Sequence, residues 1–111
     1  MNQQINIKTY SSKIIVDDDK TLSEILGHND ENIDTIEHNF DATVLVRSNE
    51  VTVLSSDKTC VKQVSNLIKE LIGLIKSGTQ ITKNDLRINI DMVKRSESPM
   101  AAHGENVVKA N

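Results

Sequence analysis

The spacing of apolar residues changes twice along this chain, and that order of spacings limits the folds it can adopt. Ile33, Ile36 and Phe40 recur at intervals of three and four residues, which places them on one face of a helix. Val44 and Val46 then follow the two-residue period of a strand. Helical spacing returns in a long stripe made of Cys60, Val64, Leu67, Ile68, Leu71, Ile72 and Ile75. The chain therefore combines helices and strands, and we expect the stripe to cover a sheet.

A short strand and a short helix are predicted before these elements. Residues 13–17 are rich in β-branched side chains and indicate the first strand. Thr21 begins a Ser/Thr-x-x-Glu capping box, so a helix of about two turns is predicted to start there and end at Gly27. Asn29 or Asp30 is then expected to cap the second helix.

Turn and cap signals divide the rest of the chain. Asn49 lies in the predicted turn of a hairpin, because the two-residue period resumes after it. Ser55 or Ser56 is expected to cap the long helix, which is predicted to end before Gly78. Thr82 begins a second sequence like a capping box. The final helix that it starts has on one face Leu86, Ile90 and Val93.

The predicted order is β-α-α-β-β-α followed by a C-terminal helix, with a three-stranded sheet covered on one face by helices. An α+β chain with this order, and with a glycine between its first two helices, has the layout of a KH-type RNA-binding domain. We predict that the KH-like domain spans residues 13–94, after an N-terminal extension at 1–12. Residues 95–111 lack periodicity and are predicted to be a disordered tail or a linker.

Composition limits the functions open to the chain. Its 111 residues suit one small domain, and 16 acidic against 13 basic residues give a net charge of −3, so nucleic-acid binding would have to be local. Tyr10 and Phe40 are its only aromatic residues, too few for a platform on which bases stack. No apolar run reaches the ~18 residues of a membrane helix, and no signal peptide follows Met1. We therefore expect a cytoplasmic protein without membrane contact.

Few residues of the chain suggest chemistry. No Walker-type phosphate loop is present, and the three histidines, His28, His38 and His103, have no partner at metal-ligand spacing. Cys60 lies on the apolar stripe and is expected to be a buried structural thiol rather than a nucleophile. The chain is accordingly predicted to be no enzyme and to hold neither a metal nor a cofactor.

The connection from Gly27 to Asp30 is the one constellation with a mechanism attached. In KH-type domains the segment between the two helices clamps the backbone of about four nucleotides, and helix-start N–H groups suit phosphate. The same four residues also describe ordinary helix capping, and the acidic Asp30 weakens phosphate contact. Both interpretations stay open. Lys20 and Arg47 would assist as basic groups, or else they are solvated surface charges.

Three collinear segments resemble PhoH-like proteins. Residues 22–36 resemble that family's Leu-Phe-Gly turn followed by Asn-Asp-x-Asn-Leu and a helix. Residues 44–51 resemble its Arg-Gly-Asn hairpin, and residues 80–87 its Ile-Thr-Pro-x-Asp-Val-Arg segment. The chain departs from the family pattern at Ser48, which replaces the turn glycine, and at Lys83, which replaces the proline.

The resemblance implies a KH-like domain that stands before a P-loop ATPase domain, in a family associated with RNA metabolism and phosphate-starvation responses. ATP and Mg²⁺ would be bound by that ATPase domain, which is missing from this chain, and not by the residues present. The residues predicted to contact RNA are Gly27, His28, Asn29, Asp30, Asn32, Arg47 and Lys20.

The leading functional prediction is a single-stranded RNA-binding accessory domain of a PhoH-like ATPase, with the ATPase domain of the same protein as its partner. The alternative is a protein-interaction or assembly module that has the KH-like shape without RNA binding, including a homo-oligomer. The negative net charge and the acidic connection favour the alternative.

Overall fold

The secondary-structure elements follow one another in the predicted order. A computed structural model describes residues 8–97 of the chain. A single 3-10 turn, His28–Asp30, lies between the first two helices. The strands and helices are β1 (Tyr10–Ile15), α1 (Asp19–Leu26), α2 (Glu31–Asn39), β2 (Thr43–Arg47), β3 (Glu50–Ser55), α3 (Lys58–Lys76) and α4 (Lys83–Glu97). The predicted α+β class and the β-α-α-β-β-α order with a C-terminal helix are therefore confirmed.

The three strands form one antiparallel sheet in the order β1-β3-β2, with β3 in the centre. Val51 of β3 pairs with Ile14 on one side, and Val53 pairs with Val44 on the other. Side chains alternate along a strand, so these four share one face of the sheet, and all four are buried. The helices cover this inner face. None of the described helices covers the outer face, and Leu45 on it is 52% exposed.

Helix α3 supplies the largest part of the core, because its apolar stripe packs against β1 and β3. Full burial of a Leu or Ile side chain stabilises a fold by about 1.5–3 kcal/mol. Helix α1 adds Ile25 and helix α2 adds Ile36, and both side chains are fully buried. The buried apolar residues of α3 are Cys60, Val61, Val64, Leu67, Ile68 and Leu71.

Helix α3 begins one residue later than a Ser56 cap predicts and two residues later than a Ser55 cap predicts. The cap is Asp57, whose carboxylate accepts a hydrogen bond of 3.0 Å from the backbone N–H of Thr59. Ser55 is buried instead, where its hydroxyl donates to the carbonyl of Asp41 at 2.6 Å and accepts from the N–H of Asp57 at 3.0 Å. Ser55 thus ties the end of β3 to the start of β2, and an aspartate takes its place as the helix cap.

The end of α3 is where the glycine predicts it. Gly78 has a φ of +96°, in the left-handed region, and its N–H donates to the carbonyl of Ile75 at 3.0 Å. The N–H of Thr79 donates to the carbonyl of Leu74 at 2.9 Å. These two bonds form a Schellman motif, which satisfies carbonyls that have no partner within the helix.

The start of α1 differs from the predicted capping box. Its cap is Asp18, and the backbone N–H of Thr21 donates to the Asp18 carboxylate at 2.6 Å. Thr21 itself is buried in the first turn. The first strand also begins earlier, at Tyr10 rather than residue 13, because β1 pairs along the whole length of β3 and so includes polar residues without strand periodicity. It ends at Ile15.

Helix α4 begins with the predicted capping box. The N–H of Thr82 donates to the Asp85 carboxylate at 3.1 Å, and the N–H of Asp85 donates to the Thr82 hydroxyl at 3.0 Å. Two contacts show that α4 runs parallel to α2. Near the helix starts, Lys83 Nζ lies 3.8 Å from a Glu31 carboxylate oxygen. Near the helix ends, Lys94 Nζ lies 5.0 Å from the centroid of the Phe40 ring.

The predicted tail overlaps this last helix. Residues 95–97 are helical, so the loss of apolar periodicity there marks a solvent-exposed helix end rather than the start of a tail. The last turn, residues 94–96, is exposed and polar because it covers no core. The rest of the predicted tail, and residues 1–7 of the predicted extension, lie outside the described residues.

The Asp18 cap predicts a pH dependence of stability. The hydrogen bond from the backbone of Thr21 lowers the pKa of Asp18 from its ordinary value of 3.8. A carboxylate with a lowered pKa stabilises the fold fully above its ordinary pKa, and that contribution is lost as the pH falls through the lowered value. Asn caps helices about as well as Asp but does not titrate.

We therefore expect the melting temperature of the wild type, relative to an Asp18→Asn variant, to be constant near neutral pH and to fall below about pH 4. Thermal unfolding followed by circular dichroism across this pH range measures the difference. A difference that is independent of pH would contradict the role of Asp18 as an ionised cap.

Candidate nucleic-acid interface

The connection between α1 and α2 has a fixed and unusual backbone. The N–H of Gly27 donates to the carbonyl of Ser23 at 3.0 Å and ends α1, and Gly27 has a φ of +80°. Asn29 and Asp30 also have positive φ values, 53° and 60°, which these two residue types tolerate better than most. Asp30 precedes α2 but makes no capping hydrogen bond through its side chain, so neither predicted cap of α2 acts as one.

Asn32 explains why the connection needs a glycine. Its side chain is buried, and Nδ2 donates to the carbonyl of Glu24 at 3.2 Å, which ties α2 to α1. A Cβ atom on Gly27 would lie 2.8 Å from the Asn32 side chain, closer than such atoms approach. Asn32 is therefore an internal tie between the helices. The exposed residues of the connection are His28, Asn29 and Asp30.

The segment between α3 and α4 lies beside this connection. Together they border a cleft of about 470 Å³, which we call the Gly27 cleft. Gln80, Thr82 and Lys83 line it from one side, and Gly27 and His28 from the other. Lys83 was not among the residues predicted to contact RNA. It is 55 positions further along the chain than His28, and only the packing of α4 on α2 brings it to this cleft.

The Gly27 cleft carries mixed charge. Glu24 and Glu31 line it together with Lys83, and Lys83 Nζ lies 3.8 Å from a carboxylate oxygen of Glu31. The Lys83 side chain is 85% exposed, so this ion pair is weak and the ammonium group can turn towards a ligand. An anion in this cleft would meet one mobile cation and two carboxylates.

The two basic residues predicted to assist lie elsewhere. Lys20 is in the first turn of α1, about 10 Å along the helix axis from Gly27 at 1.5 Å per residue. Arg47 is the last residue of β2 and pairs with Glu50. The alternation along β2 places its side chain on the outer face of the sheet, away from the helices. The structure therefore does not bring Lys20 or Arg47 to the connection.

An open apolar groove between α2 and β2 is also not formed. Ile33 and Ile36 of α2 and Val44 of β2 are buried in the core, so they offer no floor on which bases could lie. At the edge of β2, a carboxylate oxygen of Glu37 accepts a hydrogen bond of 2.8 Å from the backbone N–H of Val44. On the inner face of this strand, only Val46 is substantially exposed, at 39%.

Other chemistry is sparse in the described part of the chain. Cys60 is buried, and burial raises the pKa of its thiol, which keeps it neutral and unreactive. Between residues 8 and 97 no three His, Cys, Asp or Glu side chains gather as they would around a metal ion. Within the same range no helix has both the length and the apolar character needed to cross a membrane.

Glycine substitutions test the contact between Gly27 and Asn32. Gly27→Ala would combine a positive φ with a clash, and we expect it to destabilise the fold by about 1–3 kcal/mol. Gly78→Ala has the positive φ but open space, so its effect should be smaller. Gly73→Ala, in the last turn of α3 with open space, should stabilise by about 0.5–1 kcal/mol. Urea unfolding measures all three, and equal effects of Gly27→Ala and Gly78→Ala would contradict the clash.

Comparisons with known proteins were made for the whole chain. It matches no family model, no curated protein and no solved structure. The resemblance to PhoH-like proteins therefore stays a prediction, and the function has to be inferred from the residues and their geometry.

Proposed function

We propose that this chain is a single-stranded RNA-binding domain that holds the RNA backbone along the Gly27 connection. The observation that carries the proposal is the connection itself. It joins two packed helices in a KH-like order, the buried Asn32 behind it ties α2 to α1, and its outer residues are exposed beside a cleft. A backbone that is already ordered loses little conformational entropy when a ligand binds.

The roles of the individual residues follow from their positions. His28 and Asn29 are exposed and present hydrogen-bond donors to phosphate oxygens, and the α2 helix begins directly behind them. Lys83 would supply the cation that steadies the backbone, a role that the sequence prediction gave to Arg47 and Lys20. Glu24 and Glu31 repel phosphates but can accept hydrogen bonds from ribose 2′-hydroxyl groups, which DNA lacks. We therefore expect modest affinity and a preference for RNA.

The association with a PhoH-like ATPase belongs to the same proposal and is supported by the collinear resemblance of residues 13–94. In that arrangement the domain would present RNA to a P-loop ATPase domain of the same protein. ATP and Mg²⁺ would bind to that ATPase domain, since this sequence contains no Walker-type loop.

An NMR titration of the labelled protein with short random single-stranded RNA tests the proposal. At low salt we expect amide shifts at residues 27–33 and 80–83, and these should weaken as salt is raised. His28→Asp and Lys83→Gln should each weaken binding, and Lys83→Gln should lower the slope of log affinity against log salt by about 0.7. Gly27 is left unchanged because its substitution would disturb the fold.

Lys13→Gln is the matched control, because Lys13 is an exposed lysine that forms an ion pair with Glu50 on the outer face of the sheet. It changes the net charge by the same amount and should leave RNA affinity unchanged. Equal losses in Lys13→Gln and Lys83→Gln would show that charge alone is responsible. An unchanged spectrum at millimolar RNA would refute RNA binding.

A second candidate function is self-assembly through the outer face of the sheet. Ile15 on β1 is 56% exposed and Leu45 on β2 is 52% exposed, and β3 lies between these strands. The outer residues of β3 include Leu54, which is half-buried. Leu54 is diagonal to Leu45, and Glu50 and Thr52 of β3 stand opposite Ile15 and Leu45. Exposed apolar side chains on a face that no described residue covers can form part of an interaction surface.

Light scattering after size-exclusion chromatography tests this candidate. Under assembly we expect a dimer or larger species that Leu45→Thr converts to a monomer, because threonine keeps the strand propensity and removes the apolar contact. Met92→Thr is a suitable control, since Met92 is 51% exposed on α4 instead. A wild type that is monomeric at high concentration would exclude self-assembly.

A further inference from the structure

A second cleft has a charge balance opposite to that of the Gly27 cleft. It lies between β1 and the first three turns of α3 and has a volume of about 440 Å³. Lys58, Lys62 and Lys69 of α3 line it, and none of the described residues along it is acidic. We call it the lysine cleft. In a chain with a net charge of −3, it is a local concentration of positive charge.

Three other clefts of the described residues all include carboxylates. Glu24 lines both clefts beside α1, and Glu37 and Asp41 line the cleft at the start of β2. An anion that entered any of these would meet like charge at close range. None of the described residues that line the lysine cleft would repel an anion in this way.

The spacing of the lysines indicates an extended ligand. Lys58, Lys62 and Lys69 are separated by four and seven positions, so they lie along one side of α3. They span about 16 Å of helix at 1.5 Å per residue. All three side chains are exposed. Charges distributed along a cleft in this way suit a row of phosphate groups better than a single small ion.

Hydroxyl groups supply the hydrogen-bond donors that such a site needs. Ser12 of β1, on the inner face of the sheet, lines the lysine cleft opposite the helix, and Ser65 lines it from α3 between the lysines. The Ser65 side chain is 5% exposed, and its hydroxyl has no hydrogen-bond partner among the described residues. A buried hydroxyl without a partner costs stability, and a phosphate oxygen in the cleft would supply the missing acceptor.

We propose that the lysine cleft is a binding site for consecutive phosphate groups, carried either by a single-stranded nucleic acid or by free polyphosphate. The lysines provide the charge, and the hydroxyl groups of Ser12 and Ser65 provide hydrogen bonds to the phosphate oxygens. The site is separate from the Gly27 cleft, because no lining residue is common to both. The proposal for the lysine cleft can therefore be tested independently of the function proposed above.

An NMR titration distinguishes the sources of phosphate, with tripolyphosphate in one arm and a short oligouridylate in the other. Binding in the lysine cleft shifts the amides of Ser11, Ser12 and Ser65. Shifts there with tripolyphosphate alone identify free polyphosphate as the ligand, and shifts with the oligonucleotide identify a nucleic-acid backbone. The absence of shifts at these amides with both probes overturns the proposal, and shifts confined to residues 27–33 do so while supporting the Gly27 cleft.

Two triple variants with the same change in charge test the lysines. The variant with three substitutions in the cleft should lose at least tenfold in affinity for the probe that binds. With RNA, its slope of log affinity against log salt should fall by about 2, at about 0.7 per phosphate contact. The control variant, with three substitutions outside the cleft, should bind as the wild type does. An equal loss of affinity in the control variant overturns the proposal. The cleft variant is Lys58→Gln, Lys62→Gln and Lys69→Gln, and the control variant is Lys76→Gln, Arg87→Gln and Lys94→Gln.

Ser65→Ala provides a test that does not alter charge. Because alanine removes a buried hydroxyl that has no partner, we expect the melting temperature to rise. Affinity for the phosphate probe should fall in the same variant, because the ligand loses one donor. A variant with a raised melting temperature and unchanged affinity would remove Ser65 from the site.

Discussion

The fold depends on the packing of helix α3 against the inner face of the sheet. The side chains of Val64, Leu67, Ile68 and Leu71 are fully buried, and so are those of Val51 and Val53 on the central strand. Helix α2 contacts β2 and contributes the buried Ile36, and helix α1 packs on α2 and α3 and contributes the buried Ile25. Since one layer of helices covers one face of a three-stranded sheet, the other face is left to solvent. Both the exposed Leu45 and the outward position of Arg47 follow from this single-sided packing.

A second constraint shapes the candidate site. Gly27 and Asn32 pack so closely that a side chain on Gly27 would clash, and Asn32 in turn ties α2 to the carbonyl of Glu24. These two residues give the connection its form without facing the solvent. The capping interpretation of the glycine and the nucleic-acid interpretation are therefore compatible, because the internal residues hold the exposed His28 and Asn29 in place. RNA would then be bound by His28 and Asn29, whereas Gly27 and Asn32 hold the connection in shape.

Charge is distributed unevenly over the protein, and the net charge conceals this. The Gly27 cleft has one mobile lysine against two glutamates, whereas the lysine cleft has three lysines and no carboxylate among its described lining. An overall charge of −3 therefore limits long-range attraction of polyanions but not local binding. Under the two proposals, the Gly27 cleft would contact a short stretch of RNA backbone and the lysine cleft would bind a row of phosphates.

The periodicity of apolar residues predicted α2, the hairpin with its turn near Asn49 and the stripe of α3, because burial on one face imposes those periods locally. The first strand and the first helix were predicted instead from β-branched residues and from cap and glycine signals. Helix ends were predicted where a glycine or a reciprocal box determines them, at Gly78 and Thr82. They were missed at Asp18 and Asp57, where several polar residues compete and tertiary contacts, such as the bond from Ser55 to Asp41, decide which one caps.

The sequence alone pointed to the Gly27 connection. Only the tertiary structure showed that Lys83 lies beside this connection, that Arg47 lies on the outer face of the sheet, and that β1 and α3 form the lysine cleft. Contacts between distant segments leave no local pattern in the chain.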